Sequence, residues 1–100
     1  MKRLSDYKGR DGILIIGKLM APMAEIMTNT KNKTAFDDGI AAFVSAMCQN
    51  TPDAVLKMLS VLSGEEDYEC NGASVFRDVL YVLSDPAMQN LFGSQGEMQD

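Results

Sequence analysis

Apolar residues recur at helical spacing through most of the chain, and no stretch alternates apolar and polar positions for long enough to predict a strand. The first apolar stripe predicts a largely buried helix. Its members are Ile13, Ile16, Met20, Met23 and Met27, broadened by Leu14 and Ile15. Pro22 either kinks this helix or begins a second one, because proline removes a backbone donor and clashes with the preceding turn.

A second amphipathic helix is predicted after residues 28–33, whose sequence TNTKNK is typical of a polar turn. All of its large side chains fall on one helical face. These are Phe36, Ile40, Phe43, Val44 and Met47.

The third helix has the clearest boundaries. Thr51 is its predicted N-cap, Pro52 its first helical residue and Gly64 its C-cap, while Asp53 favours the positive end of the helix dipole. An inner stripe runs along this central core helix. It comprises Val55, Met58, Leu59 and Leu62, with Leu56 and Val61 alongside.

A fourth helix follows an acidic loop over residues 65–69, and its predicted inner stripe is Phe76, Val79, Leu80 and Leu83. Asp85 and Pro86 then start a short final helix, because this pair caps a new helix and prevents the previous one from continuing. The predicted fold is therefore all-α, a single compact bundle of four to five helices. Residues 1–10 are expected to form a flexible lead-in and residues 93–100 a flexible tail.

Charge and composition narrow the function classes. The chain has 100 residues, which suffices for one core, and a net charge of −5, which disfavours binding to a phosphate backbone. Its longest apolar run is interrupted by Lys18, Pro22 and Glu25, so no membrane span is predicted. We therefore expect a cytoplasmic protein that binds neither nucleic acid nor membrane.

Residues suited to catalysis or metal binding are scarce. The chain contains no histidine, and Cys48 and Cys70 alone cannot complete a zinc site. The two thiols are expected to be free and unreactive. The neighbouring carboxylates Asp37 and Asp38 are expected to be solvated, and a hydrolase that uses Asp37 and Glu65 is a weak alternative. The sequence predicts no enzyme, no metal and no cofactor.

Eight methionines in 100 residues favour a recognition role, because thioether side chains adapt to irregular apolar partners. Met20, Met23 and Met27 are the best candidates for such contacts. Core packing explains the same stripe equally well, and we take it as the more common cause of this spacing.

Three stretches of the chain resemble the tail assembly chaperones of long-tailed phages and prophages of Gram-positive bacteria. One is the opening, with Leu4, Tyr7, Lys8, Gly9, Leu19, Pro22, Glu25 and Ile26. Another is the mid-chain helix that ends in a glycine followed by an acidic loop. The last is the close LSDPAMQNLFGSQ, with Leu83, Asp85, Pro86, Leu91, Phe92, Ser94 and Gln95. These patterns consist mainly of caps and apolar spacing.

The resemblance implies a non-enzymatic helper in the host cytoplasm that binds the tape measure protein, helps recruit tail tube subunits and is absent from the mature virion. It also implies that Leu91 and Phe92 dock the last turn, and that this chain is the short form of a pair whose longer member arises by frameshift. The purpose of the acidic loop stays open.

A chaperone of this kind needs apolar surface for a client helix. We predict that Met20, Met23 and Met27, together with Phe36 and Phe43, form that groove. A leftover apolar face would serve a homo-oligomer as readily as a client. The alternative function is a generic acidic helical interaction module, such as a regulatory or toxin-system partner.

Overall fold

The computed structural model describes residues 2–64, 68 and 72–98, with the backbone alone for residues 72, 73 and 95–98. Within these ranges a short 3-10 helix, Leu4–Asp6, precedes six α-helices. They are α1 (Gly9–Thr28), α2 (Thr30–Asp37), α3 (Ile40–Asn50), α4 (Pro52–Ser63), α5 (Gly72–Leu83) and α6 (Pro86–Met98). The all-α prediction is confirmed, with slightly more helices than the expected four to five.

The additional helix is present because the predicted second helix is divided into two, α2 before Gly39 and α3 after it. Residues predicted as a polar turn instead begin α2, because the Asn29 side chain caps it and accepts hydrogen bonds from the backbone N–H groups of Lys31 and Asn32. The predicted second helix is then split between Asp37 and Ile40. Gly39 has a φ of +114°, a conformation that side-chain-bearing residues rarely adopt, and it separates α2 from α3.

The first helix is continuous, with Pro22 inside it, but its inner face differs from the prediction. Its buried residues are Ile15, Leu19, Pro22, Met23, Ile26 and Met27. Ile13 is 73% exposed and Ile16 also lies at the surface, so their assignment to the core was wrong. Ile13 and Ile15 are about 160° apart around a helix, and they cannot both face the same neighbour.

The third predicted helix is confirmed in its limits and its inner stripe. As α4 it begins at Pro52 and ends before Gly64, whose φ of +77° provides the left-handed C-cap. Its buried residues are Ala54, Val55, Met58, Leu59 and Leu62. Thr51 occupies the N-cap position, although its hydroxyl donates to the Met47 carbonyl rather than capping α4.

The fourth predicted helix forms as α5, but its inner face is rotated from the prediction. Val79, Val82 and Leu83 are buried, whereas Leu80 lies at the surface and Phe76 is 58% exposed. The prediction placed Phe76 and Leu80 in the core because their spacing from Leu83 fits a helical stripe. Because the buried face is centred on Val79, Val82 and Leu83, the side of the helix that carries Phe76 and Leu80 faces solvent. Most of the acidic loop lies outside the described residues.

The buried apolar core collects side chains from α1, α3, α4, α5, α6 and the N-terminal segment, and the partly buried Phe36 of α2 packs against it. α1 packs extensively against α4 and also contacts α6, and α2 packs to a similar extent against α3. The buried apolar residues are Leu4, Ile15, Leu19, Met23, Ile26, Met27, Phe43, Val44, Met47, Ala54, Val55, Met58, Leu59, Leu62, Val79, Val82, Leu83, Met88 and Phe92. No helix in the described part of the chain combines the length and apolarity that a membrane crossing requires.

One buried amide links three helix ends. The Asn32 side chain donates to the Ile26 carbonyl and to the Thr51 hydroxyl, each at 2.9 Å, and accepts from the Asn50 amide. The residue is fully buried. It therefore satisfies the buried Ile26 carbonyl near the end of α1 and partly buried polar groups at the α3–α4 junction.

Replacing Asn32 with alanine is expected to lower the free energy of unfolding by about 1–3 kcal/mol, because buried partners would be left without hydrogen bonds. Urea denaturation followed by circular dichroism measures this change. The matched control is Asn90→Ala on α6, where the side chain is exposed and the expected change is within about 0.5 kcal/mol. Equal effects of the two substitutions would show that the Asn32 network contributes little.

Within the described residues, both segments predicted to be flexible contain helical structure, and the first contacts the bundle. Leu4 is buried, the Ser5 N–H donates to Asp85 at 2.8 Å, and the Tyr7 hydroxyl donates to the Leu62 carbonyl at 2.7 Å. The expected lead-in is thus docked onto the bundle. At the other end, α6 continues to Met98, beyond the expected start of the tail.

Candidate partner-binding surface

The three phenylalanines of the predicted surface form one aromatic row. Phe43 lies between Phe36 and Phe92, with ring centroids 5.0 and 5.1 Å away and interplanar angles of 81°. Edge-to-face contacts of this kind are favourable beyond simple burial. Phe43 and Phe92 are buried, and Leu91 packs on the core beside them. This row attaches α6 to α2 and α3.

The predicted methionine groove is not an open surface in the structure. Met23 and Met27 are buried in the core, as is Phe43, whereas Met20 is half-buried. A client helix could reach Met23 or Met27 only if α1 separated from the bundle. The structure therefore places most of the residues predicted to bind a partner inside the molecule.

Exposed apolar side chains gather instead on the first turns of α1. Ile13, Leu14 and Ile16 all lie at the surface, with Leu14 50% exposed. Sequence reasoning assigned them to the core stripe and missed this surface. The signal was present in the run ILII, because four consecutive residues span more than 180° of a helix and cannot all be buried by one neighbour.

A cleft of about 550 Å³ lies between α1 and α4, and Leu14 is one helical turn from its edge. Side chains from both helices and Tyr68 line it. They are Lys18, Ala21, Pro22, Leu56, Lys57, Ser60, Val61 and Tyr68. Leu56 is 41% exposed, so part of the apolar lining faces solvent. The cleft therefore offers an apolar floor between two helices.

Two lysines border this cleft in a chain that carries a net negative charge. Lys18 belongs to α1 and Lys57 to α4, and both are exposed. Among the described residues, no carboxylate lines the cleft, and neither ammonium group forms an ion pair within 4.0 Å. The cleft thus combines apolar surface with unpaired positive charge at its rim.

A smaller cleft of about 190 Å³ lies where the α2–α3 junction meets α5 and α6. Its lining residues are Phe36, Gly39, Ile40, Phe43, Leu83 and Gln89. The Gln89 amide is already engaged, because it donates to the Leu83 carbonyl at 2.7 Å. This cleft could admit a single apolar side chain, but it is too small to hold a helix.

Chemically reactive groups are sparse in the described part of the chain. Burial raises the pKa of the Cys48 thiol, which lowers its thiolate fraction at neutral pH. Asp37 is exposed at the end of α2, whereas Glu65 and Cys70 lie outside the described residues. No group of three or more potential metal ligands occurs among the residues that the structure describes.

No protein-family model, curated protein or solved structure matches the chain.

Proposed function

We propose that this chain is a tail assembly chaperone. It would bind the tape measure protein of a long-tailed phage in the host cytoplasm, help recruit tail tube subunits and dissociate before the tail is complete. The resemblance of its opening and closing segments to that family supports the proposal, together with the apolar surface around the α1–α4 cleft. The chain would act by binding, without a chemical step.

The observation that carries this proposal is the exposed Leu56 in the lining of the α1–α4 cleft, with the exposed Leu14 one helical turn before the lining residue Lys18. Each leucine leaves about half of its surface in water, and full burial of a leucine is favourable by about 1.5–3 kcal/mol. A partner that covered both would therefore gain on the order of 1 kcal/mol from each.

The shape of the cleft favours a helical client. Two packed helices leave a groove between them, and a third helix can fill it by the ridge-into-groove packing that operates within bundles. Tape measure proteins are long and helical in the family that the sequence resembles. The exposed side chains Phe76 and Leu80 on α5 leave further apolar surface for a tube subunit or a second copy of the chain.

Replacing both Leu14 and Leu56 with aspartate is expected to abolish solubilisation of the tape measure protein while leaving the helical circular dichroism spectrum unchanged. Aspartates at these two exposed positions would make the cleft lining and the surface beside it polar without disturbing the core. The assay is co-expression with the tape measure protein of the same tail gene cluster, followed by separation of soluble and insoluble fractions. Wild-type chain should increase the soluble fraction several-fold.

The control variant is Leu80→Asp, which makes the same change at a partly exposed leucine on α5. It should retain solubilisation. Loss of activity in this variant alone would move the client site to α5. If the wild-type chain fails to keep the tape measure protein soluble, the chaperone proposal is wrong. A generic helical interaction module, with a regulatory or toxin-system partner, would then become the better interpretation.

A further inference from the structure

We propose that the α1–α4 cleft selects a client helix whose apolar stripe is flanked on both sides by carboxylates. This inference rests on the proposed function, because the helix would belong to the client. It adds a chemical rule for which client segments bind. The rule follows from the position of two lysines at the cleft and from the charge of the rest of the chain.

The lysines lie on opposite walls of the cleft. Lys18 projects from α1 and Lys57 from α4, with apolar lining from Pro22, Leu56 and Val61. Lysine side chains can lie along apolar surface with their methylene groups and keep the ammonium group at the rim. A helix seated on the floor would therefore have one ammonium group near each of its flanks.

The α1 side of the cleft, together with the exposed Leu14 just before it, limits the length of the matching segment. Leu14 lies one turn before Lys18 and two turns before Pro22, a rise of about 12 Å along α1. That distance corresponds to about two turns of a client helix. Apolar residues of the client helix at i, i+3 or i+4, and i+7 would contact the floor of the cleft. The client carboxylates that pair with Lys18 and Lys57 would then lie beside the middle of this apolar stripe.

Acidic residues on α1 and α4 determine where along the client segment its carboxylates can lie. Asp11 and Glu25 lie two turns from Lys18 on the same side of α1, and Asp53 lies one turn from Lys57 on α4. Carboxylates at the ends of a client segment would approach these acidic residues and be repelled. Carboxylates at its centre would meet the two unpaired ammonium groups instead.

The expected selectivity is modest, because exposed ion pairs are weak. Each pair changes affinity by about 1.4-fold to 5-fold, so two pairs favour an acid-flanked over a lysine-flanked helix by about tenfold at low ionic strength. The preference should shrink as salt is added, because both pairs face solvent.

The test uses the full chain and two fluorescent amphipathic peptides of about 18 residues, a length that permits helix formation. Both peptides carry the same leucine stripe, flanked by glutamates in one and by lysines in the other. Fluorescence anisotropy should show about tenfold tighter binding of the glutamate-flanked peptide. The double variant Lys18→Glu, Lys57→Glu should invert this preference.

A control separates the local effect from a change in net charge. The double variant Lys8→Glu, Lys31→Glu alters net charge by the same amount with exposed lysines outside the cleft, and it should keep the preference for the glutamate-flanked peptide. Equal binding of both peptides by the wild-type chain would overturn the inference. So would inversion of the preference by both double variants.

The outcomes distinguish this inference from the proposed function. If the wild-type chain solubilises the tape measure protein but does not discriminate between the peptides, only the charge rule is wrong. If the chain discriminates between the peptides and Lys18→Glu, Lys57→Glu inverts the preference, but the tape measure protein remains insoluble, the charge rule holds for the cleft and the chaperone proposal fails.

Discussion

Replacing Asp85 with alanine is expected to lower the free energy of unfolding by about 2–4 kcal/mol, because one side chain serves two parts of the molecule. One carboxylate oxygen caps α6 by accepting from the Ala87 N–H at 3.0 Å, and the other accepts from the Ser5 N–H at 2.8 Å. Asp85 is only 2% exposed. Water would therefore restore these hydrogen bonds poorly after truncation.

Urea denaturation at neutral pH measures this loss. The control is Asp38→Ala, at an exposed aspartate after α2, for which we expect a change within about 0.5 kcal/mol. Asp85→Asn should have an intermediate effect, because an amide oxygen can replace one acceptor but not both. A loss for Asp85→Ala no larger than that of the control would contradict a structural role for the carboxylate.

The same residue gives stability a dependence on pH. Burial by itself opposes ionisation of Asp85, but the hydrogen bonds from Ser5 and Ala87, with the nearby Arg3 guanidinium, hold its pKa below the ordinary value. The folded state then binds protons less readily than the unfolded state. This contribution is fully present above the unfolded pKa and is lost as pH falls through the folded pKa. The stability gap between wild type and Asp85→Ala should therefore narrow in acid.

Truncating Phe43 to alanine is the second large effect, with an expected loss of about 3–5 kcal/mol in the free energy of unfolding. Phe43 is buried between Phe36 and Phe92, so its removal leaves a cavity and breaks both edge-to-face contacts. Because Phe92 belongs to α6, this helix should lose part of its attachment. Thermal and urea unfolding both report the change.

A matched control for Phe43 lies on α5. Phe76→Ala removes the same atoms from a largely exposed position, and we expect a loss below about 1 kcal/mol. Phe43→Leu separates volume from aromatic geometry, because it fills much of the space without the ring contacts. Similar losses for Phe43→Ala and Phe76→Ala would show that the aromatic row does not stabilise the bundle.

Elements defined by local signals could be predicted from the sequence. The limits of α4 followed from Pro52 and Gly64, and the start of α6 from Asp85 and Pro86, because each residue acts on the backbone beside it. The inner faces of α1 and α5 could not be fixed in this way. When a helix is apolar on nearly all sides, its buried face depends on which other helices pack against it. Residues far away in the sequence determine that packing.

Phe36 and Phe43 are in contact as predicted, although the single helix from which the contact was predicted does not form. Their spacing of seven placed them on one face of a single helix. The structure breaks that helix at Gly39, yet the two rings remain 5.0 Å apart because α2 and α3 fold against each other. The hydrophobic pattern indicated the contact, whereas the interruption depended on the backbone conformation of one glycine.

The candidate site was harder to predict than the fold. Its walls come from α1 and α4, and nothing near Lys18 in the sequence indicates that Leu56 will line the same cleft. Methionine enrichment directed the prediction toward Met23 and Met27, which the core requires. The resemblance to tail assembly chaperones indicated a binding protein, but it could not distinguish residues that hold the bundle together from residues left at its surface.

The hydrogen bond between Ser5 and Asp85 joins residues 80 positions apart. Ribosomes make a chain from its N-terminus, so Ser5 cannot acquire this partner until Asp85 has been translated. Local helices can form early, whereas this contact requires closure of a long loop that contains α1 to α5. The N-terminal segment of the nascent chain therefore lacks this hydrogen bond until the start of α6 has been made.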